Sequence, residues 1–299
     1  MRTTLSALLE TQPVIVADGG MGTMLFALGL QRGSSPELWN VERPDAVRSV
    51  HAGYIAAGAQ IVLTNTFGGN RKRLENHDLA ARVSELNREG ARLACIEAER
   101  AQKPVVVAGS MGPTGQMLAP LGDLAFVDAV TIFAEQAKAL CEGGVNVLWI
   151  ETMSDLEEVR AAVEGCRRVA PDVPRITTMT FDTLGRTMMG VKPDQAVKAM
   201  RSYDVLALGA NCGKGPDKLE AVIQQMHGAE PGVVLVAKAN AGLPRMVGEV
   251  AMYDATPAVM GEYALRVKKC GARIIGACCG STPDHVSAIA GALKGEGIT

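Results

Sequence analysis

Eight short apolar or β-branched runs recur along this chain, with helix-like amphipathic segments between them, and this alternation limits the fold more than any other feature. The runs are 14–17, 61–64, 105–109, 147–151, 175–181, 205–210, 233–238 and 273–277. Stretches such as VVVAG, VLWIE, VLALGA, VVLVA and RIIGA are continuously apolar, as strands buried on both faces of a parallel sheet must be. Amphipathic segments cover 45–58, 79–102, 126–143, 155–169, 193–201, 217–227, 257–270 and 283–294. Pro193-Asp194, Pro257 and Pro283-Asp284 suit first helical turns, and Gly58, Gly143 and Gly271 suit left-handed helix ends. The pattern predicts an α/β fold, a single (β/α)8 TIM barrel over 1–299, with no interdomain linker. A doubly wound sheet is the competing architecture, but it uses fewer strands. Residues 1–12 are expected as a leader that plugs the N-terminal face of the barrel.

Composition narrows the function classes. Lys and Arg total 30 against 32 Asp and Glu, a net charge of −2, so no nucleic-acid partner is expected. No apolar run approaches the roughly 18 residues of a membrane span, and Glu10 interrupts the start before a signal-like core forms, which predicts a cytoplasmic protein. Seven cysteines are too few and too scattered for a disulfide framework, so reduced thiols are expected.

A barrel carries its chemistry at the C-terminal strand ends. There the chain reads DGGMGT, TNTFGGN, GSMGPTG, ET, FDTLGR, NCGKG, KANAG and CCGST in strand order. Cys212, Cys278 and Cys279 fall at the ends of the sixth and eighth runs, close enough in such a barrel to converge. Joint ligation by adjacent cysteines requires the chain to turn, which Gly280 permits. Three thiolates select Zn²⁺ among common cytosolic metals and leave one tetrahedral position for another ligand. Such an electron-rich site suits binding of an exogenous thiol and alkyl transfer onto its sulfur. Three small buried hydrophobes, or a vicinal Cys278–Cys279 disulfide, are the alternatives. Cys95, Cys141, Cys166 and Cys270 fall within or at the ends of helices and carry no such expectation.

These residues resemble the homocysteine S-methyltransferase family, which includes betaine–homocysteine methyltransferases, S-methylmethionine-dependent enzymes and the homocysteine barrel of cobalamin-dependent methionine synthase. The resemblance runs from Asp18 to about His285 through DGGMGT, TNTFGGN, GPTG, the acid closing the fourth strand, NCG, NAGLP and CCGSTPDH. It implies zinc on Cys212, Cys278 and Cys279, with the metal-bound homocysteine thiolate as nucleophile and no protein nucleophile. It also implies that Asp18 and Glu151 receive the substrate ammonium group and the Gly19-Gly20 amides its carboxylate. A loop cap for Asp18 and a barrel ion pair for Glu151 are the plain alternatives. Asn211 and Asn240 can orient the zinc shell or approach the substrate, or simply form turns.

The donor is expected to be glycine betaine or a related onium compound, held against aromatic faces; Trp39 and Phe67 lie in suitable loops. Trp39 can equally be a packed anchor. Gly68-Gly69-Asn70 replaces the aromatic donor-binding segment of the mammalian-type betaine enzyme, while TNTFGGNRKRL, WIETMSD and FDTLGRTMMG look most like shorter bacterial proteins commonly assigned as betaine enzymes. A methylcobalamin donor would come on a separate corrinoid protein, with Arg71-Lys72-Arg73 as a docking point or merely a solvated helix start. From another class, a non-catalytic thiol-binding or redox-sensing barrel using Cys278 and Cys279 stays open.

Overall fold

In the computed structural model, which describes residues 1–182, 184–243, 245–247 and 250–295, every one of the eight runs is a strand. They are β1 (Ile15–Val16), β2 (Ile61–Leu63), β3 (Val106–Met111), β4 (Val147–Met153), β5 (Arg175–Met179), β6 (Ala207–Cys212), β7 (Leu235–Ala239) and β8 (Ala272–Ala277). All seven pairings that run from β1 through β8 and back down to β2 are parallel. The circle closes where Ala17 bridges Ile61, with Gln60 N–H on Val16 O (2.7 Å) and Asp18 N–H on Ile61 O (3.0 Å). Closure removes both sheet edges, so each strand's polar backbone is satisfied inside the protein. Strands β3 and β6 run further than their apolar stretches indicate, which makes Ser110 and Cys212 strand residues rather than loop residues, and β4 continues two residues past Glu151.

The barrel interior is filled by one set of alternating positions, including Ile15, Ile61, Val106, Val147, Ile176, Val236 and Ile274, around the fully buried Trp149. Ala17, Ala108 and Ala207 in the same cluster leave room for that indole. Leu5 and Leu8, from a helix at Leu5–Thr11 whose Thr4 hydroxyl accepts Ala7 N–H, belong to the cluster too. The leader therefore packs into the N-terminal end of the barrel.

The helices fall close to the amphipathic segments: Pro44–Ala56, Val83–Arg100, Phe126–Glu142, Leu156–Val169, Pro193–Arg201, Pro216–Ala229, Pro257–Lys269 and Pro283–Gly295. Gly58 and Gly271 take the left-handed conformation, but Gly143 does not (φ −77°); Gly144 does (φ +96°). Gly143 is small for another reason, because a Cβ there would lie 2.5 Å from Arg88 O and Ala91 Cβ of the neighbouring helix. An antiparallel hairpin, Arg245–Val247 with Val250–Met252, follows β7 and has no counterpart in the sequence reading. Thr183 of FDTLGR and Pro244 of NAGLP lie outside the described residues. No helix among the described residues is long and apolar enough to cross a membrane.

Candidate active site at the barrel mouth

Three sulfurs meet at the open end. Cys212 closes β6 in a left-handed conformation (φ +63°) followed by Gly213 (φ +72°), while Cys278 and Cys279 follow β8 and turn at Gly280 (φ +81°). Cys212 Sγ lies 3.5 Å from Cys278 Sγ and 3.9 Å from Cys279 Sγ, and all three fall within 4.8 Å of one another. Thiolates sharing a tetrahedral ion at about 2.3 Å stand roughly 3.8 Å apart, so this spacing fits a metal held by three protein sulfurs. Hydrogen bonds from the Cys212 and Cys278 thiols hold Cys279 as thiolate, its pKa pushed down to about 3. The same sharing leaves Cys212 well above the ordinary thiol range. A bound cation is the group that would let all three sulfurs be anionic. The other four cysteines sit in or at the end of helices, and Cys95 and Cys166 are buried.

Asn240 ties these turns together. Its Nδ2 donates to Gly213 O (2.7 Å) and its Oδ1 accepts Cys279 N–H (3.1 Å), so the residue after β7 fixes the ends of β6 and β8. Asn211 does the same toward β4: its Oδ1 accepts Thr152 N–H (2.9 Å) and its Nδ2 donates to Thr152 Oγ1 (2.7 Å). Thr152 is left-handed (φ +59°), a conformation that costs a β-branched residue on the order of 1–3 kcal/mol and persists only where side chains enforce it. Both asparagines are buried and neither lines the cavity; their side chains bond the turns that carry Thr152, Gly213 and Cys279.

The cavity in front of the sulfurs holds about 450 Å³ and is bounded by Asp18, Gly19, Gly20, Ser110, Glu151, Lys238 and the three cysteines, with the Thr64–Gly68 loop opposite. Glu151 is 8% exposed; Ser110 Oγ donates to its Oε1 (2.5 Å) and Asn211 Nδ2 approaches Oε2 (3.4 Å). Burial pushes its carboxyl up to about 7, against the opposing pull of Lys238. Asp18 is committed differently. Its Oδ1 binds Lys238 Nζ (2.6 Å) and its Oδ2 accepts Leu63 N–H (2.7 Å), with both side chains nearly inaccessible. Burial alone would lower the Lys238 pKa, but Asp18 and Glu151 outweigh it and keep the ammonium charged.

Gly20 N–H is donated to Ser281 Oγ (3.0 Å), which in turn donates to Cys278 O (2.7 Å). A Cβ on Gly19 would lie 2.4 Å from that hydroxyl and 2.7 Å from the Tyr54 ring. The two glycines thus answer first to the chain's own packing. Trp39 lies 8% exposed in the core with Arg43 over its ring (4.8 Å) and does not line the cavity. Phe67 does line it, 37% exposed and packed on Gly112.

Three contributors escaped the sequence reading. Lys238 carries a legible signal, a charge inside the buried run VVLVAKA. Ser110 falls just past the apolar run 105–109, whereas β3 continues two residues beyond that run, to Met111. Tyr253, whose ring packs over Gly280 beside the sulfurs, follows a hairpin that no apolar run announces.

A closed βα barrel with three convergent thiols and a buried carboxylate at its mouth defines the class: a barrel whose open end carries a thiol cluster that could hold a metal. The model of homocysteine S-methyltransferases matches residues 15–293, and the chain belongs to that enzyme family. It is 33% identical to the methionine synthase of Mycobacterium tuberculosis over 95% of its own length and 25% of that protein. With the Mycobacterium leprae methionine synthase the identity is 34% over 96% and 25%. The chain therefore spans about a quarter of these relatives. Among solved structures, the homocysteine methyltransferase MmuM of Escherichia coli superposes in its metallated form with a TM-score of 0.78 at 27% identity, covering 96% of this chain and 99% of that one. Its oxidised form gives 0.78 at 28% over 95% and 98%.

Proposed function

We propose that this protein is a zinc-dependent methyltransferase that moves a methyl group from glycine betaine or a related onium donor onto homocysteine, giving methionine. The observation that carries the reading is the cluster of Cys212, Cys278 and Cys279 sulfurs within 4.8 Å on the wall of a cavity that also presents Glu151. Zinc bound there would supply a lowered thiol pKa, so that homocysteine sulfur enters as thiolate near neutral pH. The protein's own residues do the rest. Glu151, held by Ser110 and Asn211, receives the substrate ammonium group. Asp18, locked on Lys238, contributes fixed negative charge beside it. The Gly19 side of the turn is left for the substrate carboxylate, since Gly20 N–H is spent on Ser281. Asn240 and Asn211 keep the sulfurs and Glu151 in place. In the transfer, the sulfur lone pair forms the S–CH3 bond as the onium–CH3 bond breaks, and that bond's electron pair leaves with the donor's amine or sulfide. Seven free cysteines fit work in a reducing cytoplasm.

Elemental analysis of protein purified without chelator tests the zinc reading. One zinc per chain is expected, lost on replacing Cys212, Cys278 or Cys279 by Ser and kept in Cys95→Ser. Full occupancy in the Cys278→Ser, Cys279→Ser double variant, or a metal-free protein with a reversible disulfide, overturns it in favour of a thiol sensor. Similarity to methionine synthases favours a second donor reading, methyl delivered by a separate corrinoid protein. Methionine formed from homocysteine with methylcobalamin but with no onium compound identifies that case.

A further inference from the structure

Strand β2 ends at Leu63, while β3 beside it runs on to Met111. Thr64 N–H still bonds Ala108 O (2.9 Å). By the period of two along a strand, Ser110 presents its own N–H and C=O to that same side, where β2 has already ended. Two threonine hydroxyls take the place of the missing strand. Ser110 N–H donates to Thr64 Oγ1 (3.0 Å), Thr66 Oγ1 donates to Ser110 O (2.8 Å), and the two hydroxyl oxygens lie 2.6 Å apart. Because the Thr66 proton is on Ser110 O, the bond between the hydroxyls runs one way, with Thr64 donating to Thr66. The result is a closed ring that leaves Ser110 at its N–H and returns to it at its carbonyl, and each hydroxyl in it donates once and accepts once.

Thr64, Thr66 and Ser110 are each at most 2% exposed, so water does not readily replace a bond lost from the ring. Gln136, buried on the helix Phe126–Glu142, backs it by donating Nε2 to Thr66 O (2.8 Å). Side chains alternate across a strand, so Ser110 and Glu151 stand on the inner face of the barrel one step beyond Ala108 and Trp149. There Ser110 Oγ donates to Glu151 Oε1 (2.5 Å). A serine hydroxyl reaches only where its Cβ is carried, and the ring grips the backbone on both sides of that Cβ. A hydroxyl donated to a carboxyl group favours its anionic form, the form that an ammonium group binds.

We propose that Thr64 and Thr66 are positioning residues for the substrate ammonium site: their hydroxyl ring fixes Ser110, and Ser110 in turn orients Glu151. The inference rests on the reading of Glu151 as the receptor of the homocysteine ammonium group and adds what holds that receptor in place. Both threonines line the cavity, yet both hydroxyl protons are already placed within the ring, so the pair acts through Ser110 and not by donating to the substrate.

The test uses the zinc-loaded full chain, with the homocysteine Kd measured by calorimetry at pH 7. Thr66→Val keeps the β-branched shape and opens the ring at Ser110 O; Thr64→Val opens it at Ser110 N–H, and either variant serves if the other fails to fold. Each should raise the Kd about tenfold with zinc content unchanged, while Thr66→Ser, which keeps the hydroxyl, should stay within about twofold of the unaltered protein. Ser110→Ala should raise the Kd by about 10–100-fold, since the bond it removes is made to a carboxylate. The deciding measurement is the double-mutant cycle. Adding Thr66→Val or Thr64→Val to Ser110→Ala should weaken binding by less than about a further twofold, because the threonines then have nothing left to act through. Effects that multiply in the double variants, an unchanged Kd in the Val variants or in Ser110→Ala, or a Thr66→Ser variant as weak as Thr66→Val overturn the inference and leave the reading of homocysteine binding standing. Absence of homocysteine binding in the unaltered protein refutes that parent reading and the inference with it.

Discussion

Replacing Lys238 by Met tests whether the charge pair inside the barrel mouth is the framework of the site. Met is close to Lys in bulk and keeps an apolar stem, while it removes the ammonium that pairs with Asp18 and lies 5.3 Å from the Trp149 ring. Asp18 would then remain 2% exposed with Leu63 N–H as its one surviving donor. Removing one partner of a buried ion pair costs about 3–5 kcal/mol. Protonation sets an independent ceiling on the carboxylate's share of that loss. An Asp with an ordinary pKa near 3.9 that must be neutral in the fold takes up a proton at a cost of about 4 kcal/mol at pH 7, falling by about 1.4 kcal/mol per pH unit. Burial already holds Asp18 above the ordinary carboxylate range against the pull of Lys238, and without that cation its folded pKa rises further, so stability is retained below the unfolded pKa and lost as pH rises from there toward the folded pKa. Urea unfolding at saturating zinc should therefore show a deficit of about 3–4 kcal/mol at pH 7 that shrinks to roughly half by pH 5.5. The double variant Asp18→Asn, Lys238→Met should recover most of it, because neither charge is then left alone. A deficit under about 1 kcal/mol at pH 7, one that does not change with pH, or a double variant no more stable than the single, would refute the reasoning.

Two further outcomes follow from the site. Because burial holds Glu151 near pH 7 in the free protein, homocysteine binding should draw a proton off it and strengthen as pH rises through 7; Glu151→Gln should weaken binding by about 2–5 kcal/mol, abolish that share of proton release in calorimetry, and spare zinc, whereas unchanged affinity would make the residue structural. Asn240→Ala should lower zinc affinity by about 10–100-fold in chelator competition while the fold persists, since it frees Cys279 N–H and Gly213 O without touching a sulfur; an unaltered affinity removes Asn240 from any role in shaping the metal site.

How much of this was legible in the sequence depends on how local each determinant is. Strands buried on both faces announce themselves as apolar runs, so all eight were found, and misplaced ends such as that of β3 came from polar residues that still pair, as Ser110 does. The cysteines were legible because thiols at two strand ends converge in any closed barrel. Roles set by competition between neighbours were not legible. Asp18 and Glu151 read as equivalent carboxylates, yet one meets a lysine two strands away and the other a serine hydroxyl on the adjacent strand, and the pairing depends on which strand ends the closed sheet brings together. The same holds for Arg71, Lys72 and Arg73, where three adjacent cations divide because Glu135 and Glu75 satisfy two of them and the loop after β3 claims the third. Charge in a sequence gives the sign of a site; which charge remains available to a ligand is decided by the partners that the fold brings to its neighbours. On that argument Lys238 is consumed in fixing Asp18, whereas Glu151, bonded by a neutral hydroxyl, is the carboxylate of the mouth with no cation hydrogen-bonded to it among the described residues.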